Sequence, residues 1–272
     1  MKNILGIDIG GSTTKIIGYR DGEIFSPLLV KANDPKASLY GAFGKFMSEN
    51  NLTLSDVGHV LITGVGSAAF REDLFGIPIT RIDEFRAIGR GGLFLTGLSH
   101  AVVVSMGTGT AFVAANQDEI HHIGGTGVGG GTLLGLSNRI INVRHFEELV
   151  ETAKTGDLKN IDLFIRDISA EGMDQFAPDT TASNFGKISD LATSGDLALG
   201  IINLVFQTIG VIAVFAARIE ETKNIILTGN LTNVPQMHGI FDILSKLYGM
   251  NFIVPEHSEY ATATGAALLF QE

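Results

Sequence analysis

Apolar and polar positions change period several times along this chain, and the changes mark its elements. Apolar residues over Ile4–Ile9 predict a strand that breaks at Gly10-Gly11-Ser12-Thr13; a second strand, Thr14–Tyr19, follows, and Arg20-Asp21-Gly22 turns the chain into a third, Glu23–Phe25. Short strands joined by tight turns form an antiparallel meander. The spacing of Leu39, Phe43, Phe46 and Met47 predicts a helix over Pro35–Asn51. An apolar strand at Val57–Thr63, a helix at Ser67–Phe75, a strand at Ile77–Ile82 and a helix at Asp83–Leu95 with Asp83 as N-cap complete a first unit.

The pattern then restarts. Ala101–Met106 reads as a strand ending in Gly107-Thr108-Gly109-Thr110, with further strands at Ala111–Ala115 and Ile120–Ile123 across the polar turn Asn116–Glu119. Asp8-Ile-Gly-Gly-Ser-Thr13 aligns with Ser105-Met-Gly-Thr-Gly-Thr110 at an offset of 97 residues. A period of that length suits a duplicated domain rather than a solenoid. The second copy carries an insertion: the run Gly124–Gly131, helices near Thr132–Asn142 and His145–Lys154, and a mixed stretch to Gly186. The repeat resumes with a helix at Leu197–Glu221, a strand at Asn224–Thr228, a helix at Val234–Tyr248, a strand at Asn251–Val254 and a helix at Ala261–Phe270. The expected architecture is α/β: a lobe over 1–97 and a second over 98–272, packed around one cleft, since no low-complexity linker separates them.

Composition narrows the chemistry. The chain has 272 residues, 45% hydrophobic and 18% charged, which supports a folded core. A net charge of −10 without a basic run argues against nucleic-acid or anionic-membrane partners. The absence of cysteine excludes disulfides, thiolate catalysis and cysteine-bound clusters, and fits a cytoplasmic setting. Met1–Asp8 lacks a signal-peptide core, and the longest apolar stretch, Leu197 to Ala217, is interrupted by Asn203 and Gln207, so it reads as a buried helix. The 34 glycines exceed the usual ~7% and cluster where backbone comes close to something.

Four clusters carry candidate chemistry. In Asp8-Ile-Gly-Gly-Ser-Thr-Thr-Lys15 a glycine turn can aim amides at an anion; the hydroxyls and Lys15 add donors, and Asp8 can hold Mg²⁺ through water. Ser105–Thr110 repeats that turn without the lysine. Either alone also reads as a plain hairpin; facing each other across a cleft, the pair would clamp a triphosphate. Gly124–Thr132, with Gly127, Gly129, Gly130 and Gly131, opens a helix whose bare amides would form an anion site. Its Gly125-x-Gly127-x-x-Gly130 spacing follows an antiparallel hairpin and so lacks the βαβ context of a dinucleotide fingerprint. Thr228-Gly229-Asn230 either lets an adenosine approach the backbone or is an ordinary βα turn.

A general base must come from a strand end near the clamp. Asp83 is taken up as an N-cap, which leaves Glu84 to point into the cleft. His121 and His122 are adjacent in a strand, so they face opposite ways and cannot share an ion; His122, beside the glycine run, can reach a substrate. Asp162, Arg166 and Asp167 read as a solvated charged face.

Together the motifs Asp8–Lys15, Asp83-Glu84-Phe85, Ser105–Thr110, Gly124–Leu136, Asp162–Asp167 and Thr181-Ala-Ser-Asn-Phe-Gly186 resemble the type II pantothenate kinases, members of the acetate and sugar kinase, Hsp70 and actin superfamily. The resemblance spans nearly the whole chain. It implies a homodimer of two-lobed ribonuclease-H-like subunits that phosphorylates pantothenate with ATP and Mg²⁺, the first step toward coenzyme A. It puts Glu84 at the catalytic glutamate, Lys15 at the phosphate lysine and Thr108 at a substrate-side hydroxyl. One position departs: the family places an arginine before the glycine run where this chain has His122, and a neutral imidazole does not replace a fixed bidentate cation. The remaining readings are a kinase of the same fold acting on an amino sugar or another small alcohol, and a non-catalytic nucleotide-binding switch. An ATPase that activates a dehydratase would need cluster-ligating cysteines.

Overall fold

The apolar alternation at the N-terminus forms strand β1 (Asn3–Ile9), which pairs antiparallel with β2 (Thr13–Arg20), itself antiparallel to β3 (Glu23–Lys31). The computed structural model describes residues 2–11, 13–31, 34–70, 73–169 and 177–270. Helix α1 (Pro35–Glu49) leads to β4 (Val57–Thr63), parallel to β1, and then to β5 (Ile79–Arg81), parallel to β4. The first sheet therefore has the order β3-β2-β1-β4-β5.

After α2 (Glu84–Thr96) the arrangement repeats. Strands β6 (His100–Met106), β7 (Thr110–Asn116) and β8 (Ile120–Thr126) form the second meander. The insertion supplies α3 (Gly130–Ile141), α4 (Phe146–Ala153), β9 (Leu163–Phe164), the single turn α5 (Ile165–Ile168) and β10 (Thr181–Ser183). Helix α6 (Ser194–Ile219), β11 (Asn224–Thr228), α7 (Met237–Tyr248), β12 (Asn251–Ile253) and α8 (Ala261–Leu268) close the chain. The second sheet runs β12-β11-β6-β7-β8, the order of the first sheet read in reverse with each strand replaced by its repeat partner. The duplication seen in the motifs is thus carried by both sheets.

The period-2 pattern decides what each face meets. Leu5, Ile7 and Ile9 bury one face of the first sheet against Leu39, Phe43 and Phe46 of α1. Its other face, with Ile17 and Leu61, packs on Ala263, Ala266 and Ala267 of α8. In the second sheet Val102, Val104 and Leu227 pack on Ile201, Val205 and Phe206 of α6, while Val103 and Val113 pack on Ile88 and Leu93 of α2. Helix α2 follows the first meander in sequence yet lies on the second sheet, and α8 follows the second yet lies on the first. The two helices meet where Gly91 and Gly265 face each other: a Cβ on Gly91 would overlap the carbonyl oxygen of Ala261, and one on Gly265 that of Ala87.

Several expected elements differ: α7 starts three residues late, at Met237, and β8 runs on to Thr126. β3 continues past Phe25 to Lys31, because Ser26 takes a left-handed conformation (φ 48°) and, with Pro27, forms a bulge on an edge strand, where a missing N–H costs no ladder bond. The helix expected over Ser67–Phe75 is instead a 3₁₀ turn, Val65–Ala69. Leu74 and Ile77 exchange backbone hydrogen bonds of 3.0 Å around left-handed Phe75 and Gly76, which is incompatible with a helix; Arg71 and Glu72 lie outside the described residues. Helix α6 begins at Ser194, three residues early, because Thr193 and Asp196 form a reciprocal capping box. By length and composition α6 is apolar enough to cross a membrane, with mean hydropathy 2.2, but 61% of that window is buried in the core, as a central helix of a folded protein requires. The mixed stretch expected before Gly186 includes residues 170–176, which lie outside the described residues.

Candidate functional site

Strand register brings the first cluster together. Asp8 on β1 is paired with Lys15 on β2, so both side chains leave the same face of the sheet. Both are buried, and Lys15 Nζ stands 3.6 Å from Asp8 Oδ2. The turn after β1 is closed by the Gly10 amide donating to the Thr13 carbonyl at 2.9 Å; Gly11 is exposed, and Ser12 lies outside the described residues. The repeat turn after β6 is closed by the Gly107 amide donating to Gly109 at 2.9 Å, and it presents Thr108 outward.

The glycine run docks against this second turn. The amides of Gly130 and Gly131 donate to the carbonyls of Gly107 and Thr108, each at 2.9 Å, and Thr110 Oγ1 donates to the Val128 carbonyl at 2.9 Å. The Gly129 amide is taken by Thr132 Oγ1 at 3.2 Å. The start of α3 is therefore not a set of bare amides: these donors satisfy turn carbonyls that would otherwise be orphaned. Gly124 and Gly125 belong to β8, opposite Phe112 and Ala111, while Gly127 stands in the open loop before the helix.

Both turns open onto one cavity of about 530 Å³, within the usual range for small-molecule sites. Thr13 lines it from the first sheet; Gly107, Thr108, Gly130 and Gly131 line it from the second. Phe146, Val150 and Leu231 supply an apolar wall. Asn230, at the turn after β11, reaches across with Nδ2 donating to Thr13 Oγ1 at 3.3 Å, and its Oδ1 is buried without a protein partner. Gly229 donates its amide to the Ser258 carbonyl at 3.1 Å. At the mouth, Lys31 of β3 and Glu147 of α4 form an exposed ion pair of 2.9 Å, a contact the motifs gave no sign of.

Asp83 caps α2, its Oδ1 accepting from the Arg86 amide at 2.9 Å, and Glu84 follows half-buried. Burial pushes the Glu84 carboxyl above its ordinary value; the negative charges of Asp8 and then Asp83 push the same way, and Lys15 offsets part of the rise. The charges of Asp8 and Lys15, in contact with each other, thus both act on Glu84. His121 and His122 part as adjacent strand residues must: His121 faces Glu119 and Glu220, at 3.6 and 3.5 Å, while His122 stacks on Phe85 with ring centroids 3.9 Å apart and 13° between planes.

The charged face expected at Asp162, Arg166 and Asp167 does not exist as one cluster. Asp162 is fully buried, accepting from the Phe185 amide at 2.9 Å and from Asn203 Nδ2 at 2.6 Å. Its carboxyl is raised by burial, which outweighs those hydrogen bonds. Arg166 pairs with Asp179, and Asp167 with Lys187 at 2.8 Å. Around a two-residue strand and a single-turn helix the polar positions have no period from which burial could be read.

Among the described residues no three His, Asp or Glu side chains gather to ligate a metal. The single buried carboxylate of Asp8 fits Mg²⁺, which takes few protein ligands and keeps most of its waters, and does not fit a fully protein-caged ion.

The Fumble family matches residues 100–269. A type II pantothenate kinase of Bacillus anthracis is 31% identical over an alignment covering 83% of this chain and 80% of that protein. A second, from Bacillus cereus strain G9842, is 27% identical with 98% of both chains covered. Among solved structures, the activator of 2-hydroxyisocaproyl-CoA dehydratase from Clostridium difficile with bound ADPNP superposes with a TM-score of 0.69 at 17% identity, covering 98% of this chain and 93% of its own. That likeness shows the shared two-lobed actin-like ATPase fold. The family match over more than half the chain and the identity to the curated enzymes assign the rest: this chain belongs to the Fumble family, that of the type II pantothenate kinases.

Proposed function

We propose that this protein transfers the γ-phosphate of ATP to the hydroxyl of pantothenate, and does so in the cytoplasm. The observation that carries the reading is that the two repeated turns line one cavity, with the buried Asp8–Lys15 pair on the strands flanking the first turn; the charge of Asp8 also raises the Glu84 carboxyl. The turns Gly10–Thr13 and Gly107–Thr110 embrace the β- and γ-phosphates, and Lys15 neutralises part of their charge. The adenosine lies toward Gly229, Asn230 and the apolar wall, with Gly127, Gly129, Gly130 and Gly131 shaping the nucleotide side. Asp8 would hold Mg²⁺, which would spread the charge developing on the phosphates. The acceptor oxygen bonds to the γ-phosphorus as the bond from that phosphorus to the β-bridging oxygen breaks; the hydroxyl proton passes to Glu84, and ADP leaves. A carboxyl raised toward neutrality is the better base for that late transfer. Thr108 and the Phe85–His122 stack form the acceptor side.

The test is ADP release by the purified protein over a panel of pantothenate, hexosamines and no acceptor. The expected result is turnover with pantothenate alone. Turnover with a hexosamine would move the acceptor class, and nucleotide binding without transfer to any acceptor would favour a switch protein.

A further inference from the structure

The row Lys15–Asp8 has a third member on the next strand. Thr63 ends β4 and stands in register with Asp8 across the parallel β1–β4 pair. Partners in such a pair project from the same face. The residues two steps earlier, Gly6 and Leu61, confirm which face this is: both pack toward α8, between the two sheets. Thr63 is fully buried, and its Oγ1 has no hydrogen-bond partner in the protein. A buried hydroxyl in that state is costly and calls for a water or ligand. Beside it, Gly64 adopts φ 85°, and a Cβ there would stand 2.6 Å from Asp8 Oδ1. The backbone after Thr63 is thus shaped to lie against the Asp8 carboxylate.

We propose that Thr63 is a positioning residue for the metal: its hydroxyl accepts a hydrogen bond from a water of the Mg²⁺ shell that Asp8 holds. This rests on the kinase reading above. Nothing in the motif around Gly10–Thr13 identifies Thr63, because it lies on a different strand and meets Asp8 only through register.

Calorimetric binding of AMP-PNP to Thr63→Val, Thr63→Ser and the unaltered protein tests it, each with Mg²⁺ and with EDTA. Valine keeps the volume and removes the hydroxyl. The expected result is that Thr63→Val weakens Mg²⁺·AMP-PNP binding about tenfold, the scale of lost outer-shell contacts, leaves metal-free AMP-PNP binding unchanged, and has an apo Tm at or above the original. Thr63→Ser should bind as the unaltered protein does. Should the valine variant not fold, Thr63→Ala carries the same comparison. Equal binding by Thr63→Val with Mg²⁺, or equal weakening with and without it, overturns the proposal. If the unaltered protein turns over pantothenate while Thr63→Val binds normally, only this inference fails; if the unaltered protein does not bind Mg²⁺·AMP-PNP, the kinase reading fails with it.

Discussion

At Glu84 burial and neighbouring negative charge act on one carboxyl. Its carboxyl is raised by burial and by Asp8, so the acid limb of kcat/KM should lie above the ordinary glutamate value of 4.5, with activity falling as pH drops through it. Glu84→Gln should abolish transfer, by at least about a hundredfold, while nucleotide affinity stays within about twofold. The same shift makes a second forecast of opposite character. A carboxyl raised in the folded state contributes stability below its unfolded pKa that is lost as pH rises through its folded pKa. Glu84→Gln removes that loss, so its Tm should equal or exceed the original protein's at pH 8, and the difference should close below the carboxylate range. A variant less stable at pH 8 would mean that Glu84 holds the fold together rather than being strained within it. The sequence made Glu84 legible because its neighbour is so strong a capping residue. It did not reveal Thr63, whose link to Asp8 exists only once β4 is placed beside β1.

Between elements, the contacts that matter are those where backbone meets backbone or a polar network ties a segment down. At the α2–α8 crossing, Gly91→Ala and Gly265→Ala each press a methyl into a carbonyl oxygen of the other helix. Each should destabilise by about 3 kcal/mol in denaturant unfolding, the upper range for overpacking; loss below about 1 kcal/mol would mean the helices can separate freely. Asp162, immediately before β9, is tied to α6 through Asn203 and receives the Phe185 amide. Asp162→Asn turns an acceptor into a donor against existing donors and should cost about 1–3 kcal/mol. Most elements were readable from period and caps: the two meanders, α1 and α2, and α6. The misreadings have separate local causes. Pro27 is tolerated because β3 is an edge, and the stretch after Thr63 folds around a left-handed pair at Phe75 and Gly76 rather than as the helix its residue types suggested.

Across the whole molecule, the duplicated sheets exchange their last helices, so that movement at the cleft must pass through α2 and α8. The cleft itself is spanned by Asn230 on Thr13 and by the exposed Lys31–Glu147 pair. An exposed ion pair is worth little, so Lys31→Glu should speed nucleotide release only about twofold, restored in the double variant with Glu147→Lys, as stopped-flow displacement of a fluorescent nucleotide would show. Release unchanged in the single variant would exclude the pair from closure. The end of α6 leaves Phe215 and Ile219 more than half exposed on a mostly buried helix. If the homodimer that the family resemblance implies covers them, changing both to glutamate should give a monomer in sedimentation; a mass unaffected by the change would leave these residues outside any subunit contact. The 97-residue repeat announced the two turns, but that they share one cavity follows only from the packing of the sheets. The most direct test is a crystal structure with Mg²⁺·AMP-PNP: the β- and γ-phosphates should lie between residues 10–13 and 107–110, within reach of Lys15 and beside Glu84. Phosphates bound elsewhere, with the two turns unoccupied, would contradict the account.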